Sequence, residues 1–285
     1  MNSYKSVIVA LLCGGLLAGC SSTVTLVPEL VAEPLQIEYE NEVRVLRLEQ
    51  LINSPELTTE QRARLLYDRA TVYERLGLKS MARFDYDYAI KLKPDFAAAY
   101  SAIGVHLTLA GQYDRAYEAF DSANDLDPNY QFAYLSRGIA LYYGNRPHLG
   151  FKDMETYLSF DPNDPYRVIW HYIVQMQNDS ESAPQNLRLN AQNLSNDHWG
   201  KKIVELYLGE ISEQEFLETL NEPNLTQSQK AERQCEAYFY LGKKRRFEGD
   251  HVAAFQFYKL ALATNVYDFI EHKYARLELD IDKAN

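Results

Sequence analysis

The clearest residues with chemistry in their types and spacing stand at the start of the chain. Lys5 gives a short basic opening, Val7 to Leu17 is an apolar run broken only by Cys13, Gly14 and Gly15, and Leu17-Ala18-Gly19-Cys20 ends it. The run falls well short of the ~20 apolar residues that span a bilayer and has the plan of a cleavable leader. In this lipobox pattern, small residues suit a signal peptidase, and Cys20 is left with a thiol to carry a lipid. Residues 1–19 are therefore read as a signal peptide and Cys20 as the lipidation site.

No other set of residues reaches the threshold for chemistry. His106, His148, His171, His198, His251 and His272 form no i, i+4 pair and no HExxH, so a zinc hydrolase lacks its ligand helix. Asp125-x-Asp127-x-Asn129 begins like a calcium loop, but Tyr130 stands where Gly is required and Pro128 interrupts it. There is no GxSxG, no phosphate-cradling glycine loop and no catalytic context around Cys235. The chain is thus expected not to be an enzyme, with no catalytic residue, metal or cofactor. Cys13 leaves with the leader and Cys20 takes lipid, so Cys235 has no intrachain disulfide partner and is read as a small buried helix residue. A formal charge of −11 disfavours nucleic acid.

The elements around these residues are helical, and they repeat. Pro94, Pro128 and Pro162 are spaced by 34 residues, each followed by a new helical segment. Thirty-four is the tetratricopeptide period. Matching positions are Leu66, Ala70, Tyr73, Ala82, Tyr86 and Ala89 in residues 63–96, then Tyr100, Ile103, Gly104, Leu107, Ala116, Phe120 and Ala123 in 97–130. Residues 131–164 follow with Tyr134, Gly138, Leu141, Gly150, Met154 and Tyr157. Gly or Ala where two helices cross lets their axes approach, and Tyr, Phe and Leu fill the seam. The turns Leu76-Gly77-Leu78, Ala110-Gly111-Gln112 and Gly144-Asn145-Arg146-Pro147 offer glycine to a left-handed helix end. A fourth repeat, 235–268, carries Tyr238, Leu241, Gly242, Gly249, Ala254, Tyr258 and Ala261, but departs from the pattern at Arg245 and Val266.

The remaining segments complete an all-α solenoid with an irregular middle. Residues 20–35, with Pro28 and Pro34, read as a lipidated tether, and 36–57 as the N-terminal helix segment, its helix running to about Asn53 with Pro55 just after. Residues 165–233 hold degenerate helical hairpins, with a capping box predicted at Ser212-x-x-Glu215. Residues 269–285 read as a helix that caps the stack.

The face expected to bind protein is the concave one, lined by the first helix of each hairpin. Counting positions places Tyr67, Thr71, Glu74, Ser101, Val105, Thr108, Phe132, Leu135, Ile139, Tyr142, Phe239, Lys243 and Arg246 there. An apolar, tyrosine-rich groove suits an extended or helical peptide. The alternative for each residue is packing against a neighbouring repeat or an internal helix. A carboxylate clamp is not expected, because Tyr67, Thr71, Ala102, Phe132 and Ser136 occupy its positions. The basic run Lys243-Lys244-Arg245-Arg246 is read as a solvated helix face, the alternative being a contact to an acidic partner.

With its lipobox, three contiguous repeats, irregular middle and late fourth repeat, the chain resembles the tetratricopeptide-repeat lipoproteins of bacterial outer membranes. The resemblance extends to Gln112–Ser122, Arg137–Gly144 and Asp161–Pro165. It implies cleavage before Cys20, acylation there with chains such as palmitate, and, with Ser21 and not Asp next, outer-membrane placement facing the periplasm. It further implies a homodimeric adaptor that recruits the tail-specific periplasmic protease Prc and peptidoglycan hydrolases or endopeptidases, acting on cell-wall turnover and division. The chain ends soon after Leu279, so a function of a longer acidic tail is not carried over. Two other readings stay open: a structural accessory lipoprotein of an outer-membrane assembly complex, and a small peptidoglycan hydrolase.

Overall fold

Helix ends follow from local capping chemistry. Thr58 and Gln61 exchange side-chain and backbone hydrogen bonds at 3.1 and 2.9 Å, a capping box that starts α2, Thr59–Arg75. The same reciprocal pair, Thr226 with Gln229, starts the long α12, Gln227–Phe247, and Ser212 with Glu215 starts α11, Glu213–Glu218. Asp164 accepts from the Tyr166 N–H at 2.8 Å ahead of Pro165, the first residue of α8, Pro165–Asn178. Each cap satisfies orphan amides and contributes ~1 kcal/mol.

This computed structural model describes residues 30–36 and 38–284. The leader 1–19, Cys20 and most of the tether lie outside the described residues. Among them all regular structure is helical. The helix α1, Tyr39–Ile52, precedes the hairpin of α2 with α3, Lys79–Leu92. Two more hairpins follow: α4, Ala97–Leu109, with α5, Tyr113–Leu126, and α6, Gln131–Tyr143, with α7, Pro147–Phe160. Then come α8, α9 (Ala183–Ala191), α10 (Lys201–Leu208), α11, the hairpin of α12 with α13 (His251–Ala263), and α14, Ile270–Ala284.

Helices cross at the small residues. A Cβ on Gly104 would lie 2.5 Å from the Phe120 ring, one on Gly138 2.7 Å from Met154 Cε, and one on Gly242 2.5 Å from the Tyr258 ring. Each large partner is buried. The turn glycines Gly77 and Gly111 adopt φ of +72° and +69°, whereas in the third turn Asn145, and not Gly144, takes the left-handed conformation at +58°. Asn tolerates that region because its side chain bonds locally.

A second device ties hairpins together. Arg69 grips Asp85 with two bonds of 2.7 and 2.8 Å, and two repeats later Arg137 grips Asp153 at 2.8 and 2.7 Å. Arg137 also reaches Asp121 at 2.6 Å, joining consecutive hairpins.

The last helix packs on α12, α13 and α4. Lys273 of α14 meets Glu74 of α2 at 2.6 Å, and Glu278 accepts from Tyr143 of α6 at 2.8 Å. Its aromatic residue Tyr274 stacks on Tyr143, with ring centroids 5.4 Å apart. The end of the presumptive tether is also fixed: the Leu35 N–H donates to Thr264 O at 2.7 Å and the Glu33 N–H to Gln234 Oε1 at 2.8 Å. The chain therefore closes on itself across its inner face.

Candidate functional site: the concave face and its buried charges

The residues counted onto the inner face lie on α2, α4, α6 and α12, and α14 meets them at Glu74 and Lys243. Ser101, Thr108, Leu135, Ile139, Tyr142 and Phe239 are buried, and Tyr67, Thr71 and Val105 are half-buried. Tyr67 packs between Tyr86 and Phe96 at centroid distances of 5.3 and 4.9 Å. Thr71 and Thr108 turn their hydroxyls back to Asp68 O and Gly104 O. Phe132 alone of the set is open, 49% exposed.

Its acidic member, Glu74, is buried between Lys273 and His106. Its Oε2 meets Lys273 at 2.6 Å, and its Oε1 lies 2.7 Å from His106 Nε2, a close charge contact without hydrogen-bond alignment. Burial alone would raise this carboxyl, but His106 and Lys273 outweigh it and hold the group at about 2.

The basic run is not a solvated face. Lys243 is fully buried, its Nζ 2.6 Å from Glu278 Oε1 and 2.9 Å from the Tyr142 hydroxyl, and 4.3 Å from that ring's centroid. Arg246 reaches the other oxygen, with Nε 2.9 Å from Glu278 Oε2. Burial opposes ionisation of Glu278, yet Lys243 and Arg246 together hold its carboxyl below the ordinary range. Lys244 and Arg245 are half-buried and pair with Glu248, and Arg245 also with Glu213. Helical periodicity puts Lys243 and Arg246 on one side of α12, but only the return of α14 encloses that side.

Cys235 is buried, and burial pushes its thiol well up, so it is not a nucleophile at neutral pH. At the calcium-like segment the Asp127 carboxylate accepts from the Asn129 N–H at 3.0 Å, a turn at the repeat boundary. Among the described residues no group of three or more His, Cys, Asp or Glu is placed to hold a metal ion.

One cavity opens onto this face, with a volume of about 330 Å³. Its apolar wall includes Phe132 and Leu135 of α6, Trp170 of α8, and Phe269 and Ile270 at the start of α14. Two acids, Glu236 of α12 and Glu271 of α14, also line it. Glu236 accepts from the Tyr166 hydroxyl at 2.7 Å and Glu271 from the Tyr240 hydroxyl at 2.8 Å. Burial and then the neighbouring Glu271 charge push Glu236 well up, and burial raises Glu271 too. Positional counting did not single out these acids. Their only signal in the sequence is an acid one residue from the inner, aromatic stripe of each helix.

Consecutive crossed helical hairpins of this period define a tetratricopeptide-type solenoid. No protein-family model matches the sequence. Among solved structures, the chain is similar to a tetratricopeptide repeat protein from Parabacteroides merdae, at 14% identity and a TM-score of 0.49, covering 85% of this chain and 91% of that one. It is also similar to YrrB, described as a TPR protein with an unusual peptide-binding site, at 12% identity and 0.43, covering 85% and 99%. A third is PilW, described as a widely conserved type IV pilus biogenesis factor, at 15% identity and 0.43, covering 84% and 99%.

Proposed function

We propose that this chain is a lipid-anchored periplasmic adaptor of the NlpI type, held in the outer membrane by acylated Cys20 and acting as a homodimer. In this reading it binds the tail-specific protease Prc and peptidoglycan hydrolases, and so regulates cell-wall turnover and division. Catalysis belongs to the partners. The observation that supports a scaffold most directly is the inner face of α2, α4, α6 and α12, which already receives a helix through alternating aromatic and charged contacts. Such a face suits a partner's helix or strand, and tethering two partners to one anchored chain raises their effective concentration near the wall.

The test is an affinity purification of periplasmic proteins on the chain without its leader, together with fractionation of Cys20→Ala cells. Recovery of Prc and of wall hydrolases, with loss of the variant from the outer membrane, is the expected result. Recovery of barrel-assembly proteins in their place would establish the accessory-lipoprotein reading and overturn this one. Outer-membrane fractionation of Cys20→Ala would overturn the anchor.

A further inference from the structure

Buried acids in this fold have basic partners, with one exception. Asp85 has Arg69, Asp153 has Arg137, Glu74 has Lys273, and Glu278 has Lys243 and Arg246. Glu236 and Glu271 hydrogen-bond tyrosine hydroxyls and repel each other; Arg233 acts on Glu236 only through its charge, and Glu271 accepts a backbone N–H at the start of α14, so neither carboxyl has a bonded cation among the described residues. The guanidinium groups of that neighbourhood are engaged elsewhere. Arg167 bonds Tyr157 O at 2.7 Å and Asp164 at 3.3 Å, and Arg233 bonds Glu222 at 2.7 Å.

Two neighbouring carboxyls without a bonded cation are costly to ionise in a buried setting, so their placement at a cavity, and not in a sealed core, needs a reason. The cavity walls supply one. Phe132, Tyr157, Tyr166 and Trp170 present aromatic surface, Phe132 is open to solvent, and the volume accommodates one long side chain. Trp170 lines the cavity, is 1% exposed, and keeps its Nε1–H buried without an acceptor. A guanidinium group carries charge for two carboxylates and stacks on aromatic rings, and the peptide bonds beside it carry carbonyl acceptors.

We propose that this cavity is a binding site for a basic side chain, arginine foremost, of a partner polypeptide, with Glu236 and Glu271 supplying the counter-charge. The proposal rests on the reading of the inner face as a protein-binding surface and gives its partner a chemistry. The chain as a whole is acidic, so a basic segment is also attracted at longer range.

The chain has two tryptophans, Trp170 and Trp199, and Trp199 is not among the cavity's lining residues, so their two indole N–H resonances give a probe and an internal control. Purified protein is titrated with N-acetyl-arginine methylamide into the millimolar range, and separately with the isosteric neutral citrulline compound. The expected result is a saturable shift of Trp170 alone, with arginine alone, that is lost in Glu271→Gln. That variant should also melt no lower than the parent at neutral pH, because it removes a carboxyl whose ionisation burial opposes; this separates a binding acid from one that holds the fold. An equal shift with citrulline, a silent Trp170, or an undiminished shift in Glu271→Gln would overturn the site. No partner protein enters this experiment, so its failure leaves the adaptor reading to the affinity purification.

Discussion

Lys243 Nζ and Glu278 Oε1 lie 2.6 Å apart with side chains 0% and 3% exposed, joining α12 to α14 inside the concave face. A pair sealed from water in this way is fixed in place more by what its loss would cost than by its net attraction. Lys243→Met strips Glu278 of one of its two cations and is expected to destabilise by ~3 kcal/mol or more. Exchanging both residues, Lys243→Met with Glu278→Leu, should recover much of that loss. Urea denaturation of the two single variants and the double variant checks this, and strictly additive losses would contradict it.

Acid should weaken the hold of α14 on α2. Glu74 sits at about 2 against an ordinary 4.5, so its contribution is fully present above pH ~4.5 and is lost as pH falls toward 2. A gap of that size corresponds to ~3 kcal/mol. The raised carboxyls of Glu236 and Glu271 act with the opposite sign, their contribution fading as pH rises above the ordinary carboxylate range. Melting temperatures between pH 7 and pH 3 should fall less steeply for Glu74→Gln than for the parent.

The Arg137 clamp depends on geometry as well as charge. Its two parallel bonds to Asp153 need a planar fork, which lysine lacks. Burial outweighs the guanidinium at Asp153 and raises its carboxyl, so an incompletely satisfied Asp153 is costly. Arg137→Lys is expected to lose ~1–3 kcal/mol, measured by thermal or urea unfolding, and Asp153→Asn less than Arg137→Ala.

Close helix crossing makes a single methyl group expensive at Gly242. Its Cβ would stand 2.5 Å from the Tyr258 ring, which is itself fully buried. Gly242→Ala is expected to cost ~1–3 kcal/mol through overpacking, whereas at the open turn position Gly209, where no atom lies within 4 Å, any cost comes from its φ of +71°. Comparing unfolding midpoints of the two alanine variants separates crowding from backbone strain.

The sequence by itself determined the hairpins. Proline spacing, the pairing of Gly104, Gly138 and Gly242 with Phe120, Met154 and Tyr258, and the capping pairs Thr58–Gln61 and Ser212–Glu215 act over one or two turns of helix or one repeat, so they are written in periodicity. Even there a neighbour intervened, since Asn145 and not Gly144 takes the left-handed turn. Only the tertiary structure decided what the inner face does. The bonds that set α14 against it join residues 35 and 135 positions apart, as in Lys243–Glu278 and Tyr143–Glu278. No local pattern encodes such distances. A lysine that a run of basic residues assigns to solvent becomes a buried cation when another element covers it, and two acids on separate helices come to line one cavity only where those helices meet.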